Sequence, residues 1–313
     1  MLTYLIRRLA AGILLLAVVT VLAFALLYAG SGDVALKILG GNATPAALAH
    51  ESALLGVDRP FWTQFGTWAS HALRGDLGRS WSTGQDVTQG ILSRLPVTLS
   101  LVLGTTLITA VLAGALGVWA AVRRGTVDRI VQGVSLLGIA LPGFVVALLL
   151  VTVFAVQLKI FPATGYTAPA TSVGGWLASI TLPVLALAVG STVAVTQQVR
   201  GAVIDTLGQD WVRTLRTRGL PRRRLLAGHV LRNAAGPAVT VLGMQIIGLL
   251  GGAVIVEQVF ALPGLGQLSI AATGADDLPV VMGLVMMTTL GVVIVNLATD
   301  LLQAWLTPKA RLA

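Results

Sequence analysis

Six stretches without a single Asp, Glu, Lys or Arg limit this chain more than any other feature of its sequence. They cover residues 9–32, 95–122, 130–158, 160–199, 233–256 and 278–299. About 20 apolar residues in a helix cross the hydrocarbon core of a bilayer, and every run reaches that length. The run at 160–199 contains Pro162, Gly165, Pro169, Gly174 and Gly175, so it reads as a loop followed by one span from about Trp176. Backbone N–H and C=O groups find no water in lipid, so a spanning segment is a helix or part of a closed barrel. The period-2 alternation of a barrel is absent. The expected fold is an all-α membrane protein with six transmembrane helices.

The same spacing predicts one transmembrane domain over 1–313. Its first span lies in 1–30, an extracytoplasmic insertion occupies 31–94 between helices 1 and 2, and a five-helix core fills 95–313. Hydrophobic residues make up 56% of the 313 and charged ones 11%, which excludes an ordinary soluble domain. With the N-terminus inside, 15 of the 21 Lys and Arg residues fall on the cytoplasmic side, among them Arg7, Arg8, Arg123, Arg124, Arg129, Lys309 and Arg311. Both termini are therefore expected in the cytoplasm. The net charge of +9 follows from this bias and from contact with the anionic inner leaflet of the lipid bilayer, so no nucleic-acid partner is called for. The first run is longer than the ~7–15-residue apolar core of a secretory signal, and no clear A-x-A-like site follows it, so it is expected to stay in place.

Catalytic chemistry is hard to find. There is no cysteine, so disulfides, thiolate catalysis and Cys-based metal sites are excluded. His50-Glu51 opens an H-E-x-x-H pattern that Leu54 breaks, so no metal ligand set is expected. No histidine lies within the spans to serve a Ser–His protease. The lysines, Lys37, Lys159 and Lys309, sit in no P-loop, so the chain has no ATPase of its own. The spans carry essentially no ionisable group and no internal repeat, which argues against an ion-coupled carrier. Gln197, Gln198 and Gln245 are polar residues that serve either helix packing or contact with a polar solute. Pro142-Gly143 and Pro183 are expected to kink their helices. Gly248, Gly251 and Gly252 offer a close-contact face of the G-x-x-x-G kind. In the insertion, Trp62, Phe65, Trp68 and Leu73 recur at helical spacing and predict a small amphipathic helix. Arg74-Gly75-Asp76 reads as a turn.

The loop at 200–232 is the most strongly patterned polar segment. It holds Arg213, Arg216, Arg218, Arg222, Arg223, Arg224 and Arg232, and Gly219-Leu220-Pro221 breaks it. Asp210-Trp211-Val212-Arg213-Thr214-Leu215-Arg216-Thr217-Arg218-Gly219-Leu220, followed by His229-Val230-Leu231-Arg232-Asn233, resembles the coupling loop of ATP-binding-cassette importer permeases. It is particularly similar to the dipeptide/oligopeptide/nickel permease family. Glu257-Gln258-Val259-Phe260-Ala261-Leu262-Pro263-Gly264-Leu265-Gly266 resembles that family's outer motif. Gly75-Asp76-Leu77-Gly78, Arg94-Leu95-Pro96-Val97-Thr98-Leu99 and the start Tyr4-Leu5-Ile6-Arg7-Arg8-Leu9 resemble further landmarks, those of the first of the two permease subunits. Leu215 and Gly32-Asp33-Val34 depart from the usual text and bear on partner or solute choice.

The resemblance implies a type I importer permease fold in the bacterial inner membrane. It also implies a second permease subunit, two cytoplasmic ATPase domains and an extracytoplasmic solute-binding protein as partners, with ATP and Mg on the ATPases and no cofactor here. Asp210, Trp211, Arg213, Thr214, Arg216, Arg218, Gly219, Leu220 and Pro221 would couple to the ATPase. Glu257, Phe260, Pro263, Gly264, Leu265 and Gly266 would form an outer loop or gate, a short re-entrant hairpin that receives the binding protein together with the insertion. Di- or oligopeptides are the first solute class, with nickel or metal chelates as the alternative. A non-transport scaffold subunit is the reading from a different class.

Overall fold

The computed structural model describes residues 2–30, 34–40 and 43–306, and they are helical apart from turns and one isolated bridge between Arg79 and Asp86. Gly32, Asp33, Lys309 and Arg311 lie outside the described residues. The order is α1 (Leu2–Gly30), α2 (Val34–Leu39), α3 (Pro45–Leu55), α4 (Phe61–Ala72), α5 (Val87–Arg123), α6 (Thr126–Ala140) and α7 (Gly143–Leu150), which widens into a π-turn over Val151–Gln157. Then come α8 (Val173–Gly208), α9 (Asp210–Thr217), α10 (Arg222–Leu225), a second π-turn at Leu226–Val230, α11 (Leu231–Val259), α12 (Leu265–Gly274) and α13 (Leu278–Leu306).

Among the described residues five helices are long and apolar enough to cross a membrane, and the bent pair Thr126–Gly138 and Gly143–Gln157, which meet at 92°, makes up to six if it counts as one broken span. Pro142 supplies the break, since it has no N–H to continue α6 and disfavours helix at Leu141, which is extended (ψ 115). At Pro183 the helix is not interrupted, and α8 continues from Val173 to Gly208. The second span starts at Val87 rather than Leu95, because Asp86 caps it: its Oδ1 accepts the Gln89 amide at 2.8 Å. Arg94 ends a charge-free run without ending a helix.

The chain divides into two compact units, Met1–Thr98 with Pro263–Val293, and Leu99–Leu262 with Ile294–Ala313. In the first, Phe24 is buried in edge-to-face contact with Phe61 and Phe65, at 5.6 and 5.4 Å between ring centres, with Trp68 beside them. The predicted amphipathic helix is thus α4, but its inward face is Phe61, Phe65, Trp68 and Ala72. Trp62 and Leu73 point outward, 72% and 90% exposed. The register differs from the expected one because Phe61, not Trp62, stands one turn before Phe65. Arg74-Gly75-Asp76 is a turn with Gly75 at φ +85. The Gly78 amide, and then His71, hold the Asp76 carboxyl below its ordinary range.

In the second unit α8 is the central post. A Cβ on Gly117 would lie 2.8 Å from Val199, and one on Gly138 would lie 2.7 Å from Val193, so α5 and α6 come this close to α8 because these positions are glycine. Gly243 plays the same part against Thr299 for α11 and α13. The expected close-contact glycines do not. Nothing stands within 4 Å of a Cβ at Gly248, Gly251 or Gly252.

Candidate functional site

The basic loop folds into a helix with two unlike faces. Asp210 opens α9 at the end that favours an acid and Arg216 closes it at the end that favours a base. Val212 is fully buried, and Trp211, Leu215 and Leu220 pack with it onto Val199, Val203, Leu225 and Val230. Arg213, Thr214, Arg216, Thr217 and Arg218 occupy the opposite, exposed face. Asp210 and Arg213 approach to 3.8 Å, but both are exposed, so little holds that pair.

The helix stops through backbone geometry. The Gly219 amide donates to the Arg216 carbonyl at 3.0 Å and the Leu220 amide to Leu215 at 3.2 Å, while Gly219 takes φ +80. Gly219 supplies that left-handed residue without strain. Pro221 then starts α10, which displays Arg222, Arg223 and Arg224. The nine residues assigned to coupling are contiguous, running from α9 through its glycine stop to the start of α10, with an apolar root and a cationic outer face. The departure at Leu215 sits in the root, not on the outer face.

The outer motif is more deeply built than expected. Glu257 is fully buried in the last turn of α11 rather than in a loop, because i→i−4 pairing continues until the Phe260 amide meets the Val256 carbonyl. Glu257 is also an ionisable group inside a long apolar helix, where the sequence reading expected essentially none. Phe260 and Leu262 are buried too, and Ala261 turns the chain at φ +48. The division between the two units falls between Leu262 and Pro263. Beyond it Pro263 is exposed, Gly264 precedes α12, the Leu265 amide donates to Thr98 Oγ1 at 2.9 Å, and Gly266 is buried. A tight turn and a ten-residue helix replace the expected re-entrant hairpin.

The three glutamines separate. Gln198 lines a cleft of about 500 Å³ with Thr240, Met244 and Gln303. Gln245 lines another of about 510 Å³ with Pro142, Phe144, Ser191, Gly248 and Gly252, at the break between α6 and α7. Broken backbone at membrane depth persists only where protein buries it or water reaches it, and this cleft is where such water would enter. Gln197 belongs to neither lining.

From the sequence, Asp277 reads only as an acid of the outer loop after the fifth span, with no partner assigned. Buried just before α13, it accepts from Ser80 Oγ at 2.5 Å, Ser82 Oγ at 2.7 Å, and the Trp81 and Ser82 amides at 3.1 Å. One carboxylate thereby holds the turn before α5. Its cap position before α13 was readable, but partners 197 residues away were not.

Residues 113–312 match the model of the binding-protein-dependent transport system inner membrane component, and residues 1–102 match that of the corresponding N-terminal component. The chain is 37% identical over 307 residues to a peptide transport system permease protein of Brucella abortus (strain 2308), covering 98% of both. It is 34% identical to a peptide ABC transporter permease of Sinorhizobium fredii, over 98% of this chain and 99% of that one. A glutathione transport system permease of Salmonella choleraesuis is 36% identical over 99% of each. Matches spanning both the helical core and the N-terminal third, on a multi-pass helical chain, make this protein a member of the binding-protein-dependent transport system inner membrane component family.

Proposed function

We propose that this chain is one of the two permease subunits of an ATP-binding-cassette importer of small peptides. The family membership carries the reading, and the two-faced helix α9 supports it. Relatives named for peptide transport and for glutathione, itself a tripeptide, point to the same solute class. ATP and Mg bind the partner ATPases, whose acidic clefts would receive Arg213, Arg216 and Arg218; this subunit needs no cofactor. Rim charges of this kind steer association more than they add affinity. Closure of the ATPase pair would move α9 and, through Val212, α8. The test is a reconstituted complex of both permeases, the ATPases and the binding protein in proteoliposomes. Peptide-stimulated ATPase activity with uptake is expected. Stimulation by nickel or metal chelates alone would move the solute class, and no stimulation by any solute would favour a scaffold subunit.

Both termini lie in the cytoplasm in this reading, following the distribution of Lys and Arg. Ser70 is exposed on α4, and the chain has no cysteine of its own. A Ser70→Cys variant is therefore expected to react with a membrane-impermeant maleimide from outside intact spheroplasts. Reaction only after the inner face is opened would reverse the topology.

The solute-binding protein lands on the outer segment. Burial of Glu257, Phe260, Leu262 and Gly266 shifts the contact toward the exposed side of α4, where Trp62 and Leu73 stand out. A photo-crosslinker at Leu73 should capture the binding protein. Capture of permease chains alone would assign this surface to assembly.

A further inference from the structure

We propose that the cleft between α5, α6 and α8 binds an anionic phospholipid of the bilayer, its acyl chain in the cleft and its phosphate on the arginines of the α5–α6 turn. The cleft encloses about 370 Å³ and is walled by Leu112, Trp119, Ile130, Val134, Leu185 and Val189. It follows α5 from Ile108 to Trp119, roughly 16 Å at the helical rise. Gly117 and Gly138 let α5 and α6 approach α8 closely, and Gly138 forms part of the trough wall. Its lining is almost wholly apolar. A polar solute would find no set of partners there, whereas a hydrocarbon chain would.

One end of the trough is charged. α5 ends at Arg123, Arg124 and Gly125 reverse the chain at φ +45 and +67, and α6 begins at Thr126. Arg123, Arg124 and Arg129 are all exposed, Arg123 one turn beyond Trp119 and Arg129 next to Ile130. Asp128 is the only acid in this turn, and Arg200 already holds it in a two-pronged pair at 2.5 and 2.8 Å. Three cations thus stand at the mouth with their nearby acid engaged. Trp119, 52% exposed, sits where an indole marks the headgroup level. A basic rim over an apolar trough between membrane helices is complementary to an anionic headgroup on an acyl tail, and a zwitterionic lipid gains much less from it.

The inference rests on the chain being embedded in a membrane, not on what it transports. The experiment is native mass spectrometry of the purified full-length chain in mild detergent, given equal amounts of phosphatidylglycerol and phosphatidylethanolamine with the same tails. Wild type is expected to retain phosphatidylglycerol about tenfold over phosphatidylethanolamine. The exposed-residue triple variant R123Q/R124Q/R129Q should reduce that preference to parity, with the Arg200–Asp128 pair left intact. Val134→Trp, which fills the trough, should lower retention of both lipids while keeping the preference. Equal retention by wild type, or a preference that survives the triple variant, would overturn the site. So would unchanged retention in Val134→Trp, or crosslinks from position 134 to the second permease in the assembled complex. Failure of peptide uptake would leave every one of these readouts standing.

Discussion

Replacing Gly219 with valine is expected to leave the subunit inserted and to lower solute-stimulated ATPase activity and uptake by about tenfold or more. The reason is backbone geometry. Gly219 holds φ +80 with no atom within 4 Å of where a Cβ would stand, so the cost of a side chain there is conformational rather than steric. That cost is about 1 kcal/mol for an ordinary residue and more for a β-branched one. Relieving it means breaking the Leu220-to-Leu215 and Gly219-to-Arg216 bonds, which re-aims Pro221 and the arginines after it. A graded series distinguishes this from charge effects. Asn tolerates the left-handed region and should stay near wild type, and Asp should fall between, because it adds an anion at the negative end of α9. Arg216→Glu should instead weaken ATPase docking in a salt-dependent manner, beyond its small dipole cost to α9. The measurement is ATPase activity and uptake in proteoliposomes with the complete complex. Wild-type coupling in both Gly219→Val and Arg216→Glu would return the loop to a topology anchor.

Asp277→Ala should be the most damaging single change outside that loop. It removes the acceptor of two backbone amides and two hydroxyls, in a setting where the carboxylate is 1% exposed. Ser80 Oγ is the buried donor, the Trp81 and Ser82 groups being partly open to water, and an unpaired buried donor costs about 1–3 kcal/mol, so a loss on the order of 2 kcal/mol is expected. Asp277→Asn keeps the size but turns an acceptor into a donor facing N–H groups, and should recover only part of the loss. The turn at 80–83 would come free next to the exposed Arg79. Trypsin cleavage at Arg79 is therefore expected to accelerate by more than tenfold, with a lower Tm for the purified subunit. Unchanged cleavage in the alanine variant would show that the turn is held by other contacts.

What could be read from the sequence was whatever leaves a local trace. Charge-free runs gave the spans, because desolvating a charge is costly wherever it sits in the chain. Gly219 was readable because a glycine after a polar helix, followed by Pro221, signals a stop. Asp86-Val87-Thr88-Gln89 carried a capping signal for α5, and weighing charge over caps displaced that boundary to Leu95. Glycine contacts were misjudged for a related reason. Gly117 and Gly138 belong to no repeat yet meet α8 directly, while the motif-like Gly248 and Gly252 face an open cleft. Spacing on one helix says nothing about which side another helix takes. The burial of Glu257 and the reach of Asp277 are long-range facts, and only the folded chain holds them.

Val212 has one more consequence. An isolated helix of eight residues would be marginal in water, fraying and re-forming on the submicrosecond scale. α9 is anchored at a residue with no exposure, so its amides cannot open to solvent unless the surrounding cluster opens as well. Hydrogen–deuterium exchange along α9 should therefore be slow and keep pace with that of α8, as a single cooperative block. A push on the arginine face would then arrive at α8 as a displacement of the whole block, with little of it dissipated in local melting.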